Sequence, residues 1–131
     1  LVWKWIRIKH LELFQMIKKT KLIFCFDIDN TICKTTKDQY EKSKPIRKAI
    51  ETINKLYENG HTIKIFTARY MGRNNDNIKN KKKIFFKIKK QIDSWGIKYN
   101  KLIISKPSAD IYIDDKSYGY TNSWIKKFNK F

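Results

Sequence analysis

Short apolar runs that end abruptly in polar residues are the feature that most limits what this chain can fold into. The run over residues 22–26 has the length of a strand buried on both faces, and it stops at Asp27. Three later runs of strand length cover residues 63–66, 102–104 and 111–113. Each is also followed by a polar residue suited to phosphate chemistry, so the chain predicts four strands whose carboxyl ends carry functional groups.

Amphipathic stretches separate these strands. One begins at Pro45, expected as the first helical residue, and stops at Gly60; another follows a predicted loop over residues 71–80 and stops at Gly96. A short C-terminal helix carrying Trp124 is expected to pack on the core. Strands that alternate with helices predict an α/β fold of three layers, with a mostly parallel central sheet.

The strand ends suggest phosphoryl transfer. Asp27 can attack phosphorus to form an aspartyl-phosphate, and Asp29, two residues on, can act as general acid and base. Thr67 and Lys106 can neutralise charge on the phosphate oxygens. Each residue alone is equally well explained as a turn residue or helix cap, but four such ends in order favour one site.

Clustered carboxylates at this edge would repel one another without a cation. A hard, oxygen-preferring ion such as Mg²⁺ is therefore the expected cofactor. Its predicted protein ligands are Asp27, Asp115 and the main-chain carbonyl of Asp29, with Asp114 either binding directly or holding a ligand.

The segment Phe26-Asp27-Ile28-Asp29-Asn30-Thr31 resembles the first motif of haloacid dehalogenase-type phosphatases, with Asn30 where Gly is usual. Asn tolerates the left-handed backbone that such a turn needs. Thr67, Lys106 and Asp114-Asp115 resemble the second, third and fourth motifs, although Ser105 replaces a usual Gly. The resemblance implies a Mg²⁺-dependent phosphatase with an aspartyl-phosphate intermediate. Asn30, Ala68 and Arg69 are the predicted substrate contacts. Arg69 lies close enough to the edge to bind phosphate through its guanidinium, and a solvated loop explains it equally well.

Finer details resemble the small capsule-biosynthesis phosphatases of this superfamily, notably the stretch Thr67-Ala68-Arg69-Tyr70-Met71. The implied substrate is a sugar phosphate or related small metabolite of surface polysaccharide synthesis. Residues 32–62 and 70–101 leave no room for a cap domain, so the implied enzyme is uncapped with an open site. A neighbouring subunit could close such a site, which leaves homo-oligomerisation open.

The charge balance keeps two alternatives open. The chain has 30 Lys and Arg against 12 Asp and Glu, a net charge of +18 that could attract nucleic acid. The alternatives are a polynucleotide end phosphatase and a non-catalytic basic nucleic-acid-binding module. The positive charge comes mostly from scattered Lys, which favours compositional bias over a nucleic-acid surface.

Two cysteines, Cys25 and Cys33, cannot form a disulfide framework, and Cys25 is expected to be an ordinary buried thiol. No run of 18 apolar residues is present, and a cytoplasmic location is expected. Residues 1–15 are expected to be an N-terminal extension. Either they form an additional helix packed on the domain, or native translation starts at Met16. An amphipathic segment on a membrane surface is less favoured. The phosphatase domain is expected over residues 16–131.

Overall fold

The computed structural model describes residues 9, 12, 20–75, 77–119, 121 and 123–129. The expectations for residues 1–15 and for a start at Met16 lie outside these residues, apart from Lys9 and Glu12, which have helical backbone. The elements in chain order are β1 (Ile23–Phe26), β2 (Cys33–Lys34), β3 (Lys44–Pro45), α1 (Arg47–Glu58), β4 (Thr62–Phe66), α2 (Lys81–Ser94), β5 (Lys101–Ile103) and α3 (Trp124–Phe128), with 3-10 turns at Tyr40–Lys42 and Gly72–Asn74.

The main sheet is parallel and has the order β1-β4-β5 in the described residues. Phe24 lies opposite Ile63, and Ile65 lies opposite Leu102. Helix α1 connects β1 to β4, and α2 connects β4 to β5, as parallel pairing requires. The predicted mixed α/β fold with a mostly parallel sheet is confirmed.

The first helix begins later than its sequence suggested. Pro45 belongs to β3 and pairs with Cys33 in a small antiparallel sheet formed by β2 and β3. The Ile46 N–H then donates to the Ile32 carbonyl at 2.8 Å, which keeps the chain extended up to Arg47. The prediction that Pro45 opens the helix is therefore wrong by two residues. Both predicted helix stops are correct, since Gly60 and Gly96 follow α1 and α2 with φ of 89° and 79°.

One face of the main sheet packs against the helices to form the core. Ile63, Ile65 and Leu102 are buried on this face, and Phe24 and Phe26 are partly buried there. The α3 residue Trp124 packs on Phe26, with ring centroids 5.5 Å apart, as expected of a C-terminal helix. The buried helical residues of the same cluster include Ala49, Ile50, Ile53, Leu56, Ile88, Ile92 and Trp124.

Strand β1 is buried on one face rather than both. Ile23 is 67% exposed and the Cys25 thiol is exposed, so the predictions of a doubly buried strand and a buried Cys25 are wrong. The reason is that the described helices bury their apolar side chains with Phe24 and Phe26, whose side chains alternate with those of Ile23 and Cys25. An apolar run does not reveal which of its faces is covered.

The predicted fourth strand over residues 111–113 is absent from the described sheet. The Tyr112 hydroxyl donates to the Pro107 carbonyl, and the Lys106 ammonium lies 4.3 Å from the Tyr112 ring centroid. These contacts fold the segment back on itself, and they leave Ile111 and Ile113 exposed. Within the described residues, β1 is consequently an edge strand.

Among the described residues, no helix combines the length and the apolar character needed to cross a bilayer.

We expect Ile65→Ala to lower the free energy of unfolding by about 2–5 kcal/mol, because Ile65 is fully buried at the centre of the sheet. Ile23→Ala is the matched control on the exposed face of β1 and should change it by less than about 0.5 kcal/mol. Urea unfolding followed by circular dichroism measures both. Equal losses for the two variants would contradict this account of the core.

Candidate active site

Three predicted site residues meet where β1, β4 and β5 end. Asp27 directly follows β1, Thr67 directly follows β4, and Lys106 lies three residues beyond β5. The Lys106 N–H donates to the Thr67 carbonyl at 3.1 Å, so the chain after β5 runs over the end of the central strand. Parallel pairing therefore places these three residues at one edge of the sheet, as expected.

Asp27 and Lys106 face one another across this edge. The Lys106 Nζ lies 3.9 Å from Asp27 Oδ1, and the two side chains are 19% and 38% exposed, respectively. Burial raises the pKa of Asp27 above its ordinary value of 3.8, while the Lys106 charge opposes that rise. Asp27 is thus a partly open carboxylate with one cation beside it.

The Thr67 hydroxyl also has a structural role at the end of β4. The residue is fully buried, and its Oγ1 accepts a hydrogen bond from the Arg69 N–H at 3.1 Å. This bond shapes the turn that follows β4. Ala68 lies half-buried in the same turn, and its carbonyl accepts a hydrogen bond from the Met71 N–H.

Asp29 forms a buried ion pair with Arg69. The Arg69 Nη2 donates to Asp29 Oδ1 at 2.9 Å, and Nε donates to Oδ2 at 2.9 Å. The Arg69 side chain is only 1% exposed and that of Asp29 21%. Burial lowers the pKa of Arg69, but the hydrogen bonds and charge of Asp29 outweigh that effect and raise it overall. The guanidinium is largely enclosed by protein in this arrangement, and the substrate contact by Arg69 stays a prediction.

Sequence reasoning missed the polar residues that complete this network. Thr35 donates to Asp29, Ser43 accepts from Arg69 Nη2 at 3.3 Å, and the Gln91 Oε1 accepts from Arg69 Nη1. Thr35 and Ser43 lie in a polar stretch that carries no periodic signal. Gln91 could have been found, since it is an uncharged polar residue at helical spacing from the apolar stripe of α2.

Asn30 and Ser105, which replace the usual glycines of the motifs, both have left-handed backbone conformations. Asn30 has φ of 58° and Ser105 has φ of 71°. The Asn30 Oδ1 also accepts a hydrogen bond from the Thr35 N–H at 3.3 Å. The left-handed backbone expected at Asn30 is confirmed, and Ser105 adopts a conformation that glycine adopts with less strain.

Within the described residues, Asp114 and Asp115 do not join Asp27 and Asp29 in a group that could hold a metal. Asp114 and Asp115 are both exposed, and the pKa of Asp114 is lowered first by the Lys116 backbone N–H and then by Asp115. In the described part of the chain, no three His, Cys, Asp or Glu side chains are grouped closely enough to hold a metal. The expected cluster of four carboxylates is therefore not formed among the described residues, and the predicted strand over residues 111–113, which precedes two of them, is not part of the described sheet.

A cavity of about 300 Å³ lies on the α2 side of Arg69. Tyr40 and Tyr70 line it with ring centroids 4.9 Å apart, and Lys87 and Lys90 are also among its lining residues. Tyr70 has φ of 67°, which is strained for a bulky residue. Surrounding contacts therefore hold the Tyr70 ring at this cavity.

No protein-family model matches the chain, and no curated protein matches it. Among solved structures, the chain is similar to a structural-genomics target from Vibrio cholerae, with a TM-score of 0.63 and 22% identity. The match covers 85% of this chain and 98% of that chain. Such a likeness shows the α/β fold, whereas the chemistry must be argued from the side chains of the site.

We expect Asp27→Asn to raise the free energy of unfolding at pH 7. The folded state holds the Asp27 proton more tightly than the unfolded chain does, so ionisation of Asp27 opposes folding above its folded pKa. The stabilisation should shrink as the pH falls through that pKa towards 3.8, because Asp27 is then protonated in both states. Urea unfolding at several pH values measures this trend.

Asp38→Asn is the matched control, since the Asp38 side chain is 67% exposed and lies outside the candidate site. It should leave stability nearly unchanged. Destabilisation by Asp27→Asn at pH 7, with no dependence on pH, would contradict the proposed environment of Asp27.

Proposed function

We propose that this protein is a Mg²⁺-dependent phosphomonoester hydrolase of the haloacid dehalogenase type. The observation that carries the proposal is the Asp27 carboxylate at the end of β1, partly open to solvent and 3.9 Å from the Lys106 ammonium. A nucleophilic carboxylate must be reachable by the phosphorus atom, and it needs a nearby cation to offset the charge of the phosphoryl group. Asp27 meets both requirements.

The proposed reaction has two displacements. In the first, an Asp27 oxygen bonds to phosphorus, the bond from phosphorus to the leaving oxygen breaks, and Asp29 gives that oxygen a proton. In the second, a water oxygen bonds to phosphorus, the bond to Asp27 breaks, and Asp29 takes the proton of the water. Lys106 stabilises the negative charge of the phosphoryl oxygens in both steps.

The residues at this edge fit Mg²⁺ with a smaller ligand set than the sequence suggested. The Asp27 carboxylate and the main-chain carbonyl of Asp29 would hold the ion, without Asp114 or Asp115. One or two carboxylates, several waters and a substrate phosphate commonly complete a Mg²⁺ shell. The bound ion would add positive charge at the phosphoryl oxygens and orient them for in-line attack.

The motif resemblance also implies an enzyme without a cap domain. The alternation of strands and helices favours a three-layer fold, and the lack of a disulfide framework favours a cytoplasmic enzyme. Between β1 and β4 the described chain holds β2, β3 and α1, and between β4 and β5 it holds α2, which supports an uncapped enzyme. The implied substrate is a small sugar phosphate. Aromatic rings such as Tyr40 and Tyr70 suit the non-phosphate part of such a substrate.

The proposal is tested by release of inorganic phosphate from p-nitrophenyl phosphate and a panel of sugar phosphates, with Mg²⁺ or with EDTA. We expect EDTA to abolish turnover and Mg²⁺ to restore it. Asp27→Asn should lower kcat by about 10³-fold or more, as loss of a nucleophile does. Lys106→Met should lower it by about 10²-fold, because it removes transition-state charge stabilisation. The exposed variant Asp38→Asn should retain native turnover.

A native protein inert towards this whole panel would refute a small-molecule phosphatase. Turnover confined to phosphorylated oligonucleotide ends, with strong salt dependence, would indicate the polynucleotide phosphatase instead. Salt-dependent oligonucleotide binding without any turnover would indicate the non-catalytic binding module.

A further inference from the structure

The two oxygens of the Asp29 carboxylate have unequal surroundings. Oδ1 accepts hydrogen bonds from Thr35 Oγ1 and from Arg69 Nη2 and Nε, and the Cys33 Sγ lies 3.8 Å away. In the described residues, Oδ2 accepts only from Arg69 Nε, which also reaches Oδ1 at 3.2 Å. A proton on Oδ2 would therefore leave the contacts to Oδ1 in place.

Arg69 is itself fixed by its surroundings. Its Nη1 donates to the Gln91 Oε1, its Nη2 also contacts Ser43, and its guanidinium carbon lies 5.0 Å from the Tyr40 ring centroid. With its side chain 1% exposed, the guanidinium is held from several directions. A planar guanidinium fixed in this way donates two hydrogen bonds to a carboxylate and so sets its orientation. A Lys ammonium is a point charge and does not impose that orientation.

From this geometry we infer that Arg69 is a positioning residue, which holds Asp29 so that Oδ2 is the atom that exchanges protons with the substrate. The inference rests on the proposed phosphatase function and identifies what makes Asp29 competent in it. In the first displacement, the proton passes from Asp29 Oδ2 to the leaving oxygen as its bond to phosphorus breaks. In the second, a proton of the attacking water returns to Oδ2.

Proton donation matters only when the leaving group needs it. An alkoxide from a sugar phosphate is a poor leaving group without a proton, whereas p-nitrophenolate departs without one. The ratio kcat/KM reports only the steps up to formation of the aspartyl-phosphate, so it isolates the first displacement. Loss of a positioning residue for Asp29 should therefore lower kcat/KM selectively for alkyl phosphates.

The experiment measures kcat/KM of native protein, Arg69→Gln and Arg69→Lys on p-nitrophenyl phosphate and on a sugar phosphate. We expect Arg69→Gln to lose about 10²-fold on the sugar phosphate, within the usual range for general acid catalysis, and less than about threefold on p-nitrophenyl phosphate. Arg69→Lys retains the charge without the fork and should fall between native and Gln. Arg47→Gln is the matched control, because Arg47 is an exposed arginine of α1 that donates to the Trp95 carbonyl, and it should affect both substrates equally.

A second arm repeats Arg69→Gln in an Asp29→Asn background. If Arg69 acts through Asp29, the double variant should show no further selective loss on the sugar phosphate. Gln91→Ala removes one anchor of the guanidinium and should produce the same selectivity to a smaller extent, so it serves if Arg69→Gln fails to fold.

Equal losses on both substrates, persisting in the Asp29→Asn background, would show that Arg69 is merely structural and would overturn the inference while leaving the phosphatase proposal intact. A native protein without turnover on either substrate would overturn both. The two failures are thus distinguishable.

Discussion

The ion pair between Asp29 and Arg69 is the interaction on which the site depends. It joins the loop after β1 to the turn after β4, across 40 residues of sequence. A buried guanidinium is strongly destabilising unless it is paired and hydrogen-bonded, so its partners must be in place when the protein folds. Among the described residues, every buried polar side-chain atom has a hydrogen-bond partner. The pair therefore fixes the relative position of the two loops that carry Asp27 and Thr67.

The two acidic residues of the first motif consequently differ in environment. Asp29 is enclosed by donors, whereas Asp27 is partly open and has only Lys106 as a nearby ion-pair partner within the described chain. Burial disfavours the charged form of Asp27, and the Lys106 charge only partly offsets this effect, so the pKa of Asp27 is raised. The ionised carboxylate therefore opposes folding, as active-site groups commonly do. Within the proposed phosphatase, this difference suits a fixed proton carrier beside a reachable nucleophile.

Much of the framework could be predicted from the sequence because it follows local periodicity. The alternation of apolar runs with amphipathic stretches predicted β1, β4 and β5 and the helices between them, and parallel pairing then brought Asp27 and Lys106 together. The remainder depends on tertiary contacts. The partner of Arg69 lies far away in sequence, and β2 and β3 are two residues each. An apolar run also does not say whether residues 111–113 form a strand of the sheet. The positions of Asp114 and Asp115 relative to Asp27 depend on that last point.

The central claim is that the phosphoryl group is bound covalently to Asp27 during turnover. Brief mixing of the protein with substrate, followed by borohydride reduction and peptide mass mapping, measures this directly, because reduction converts an acyl phosphate into a stable alcohol at the residue that carried it. The account predicts a reduced side chain at Asp27, which should be absent without substrate and absent from Asp27→Asn. Phosphate release with the mark on another residue, or with no mark at all, would contradict it.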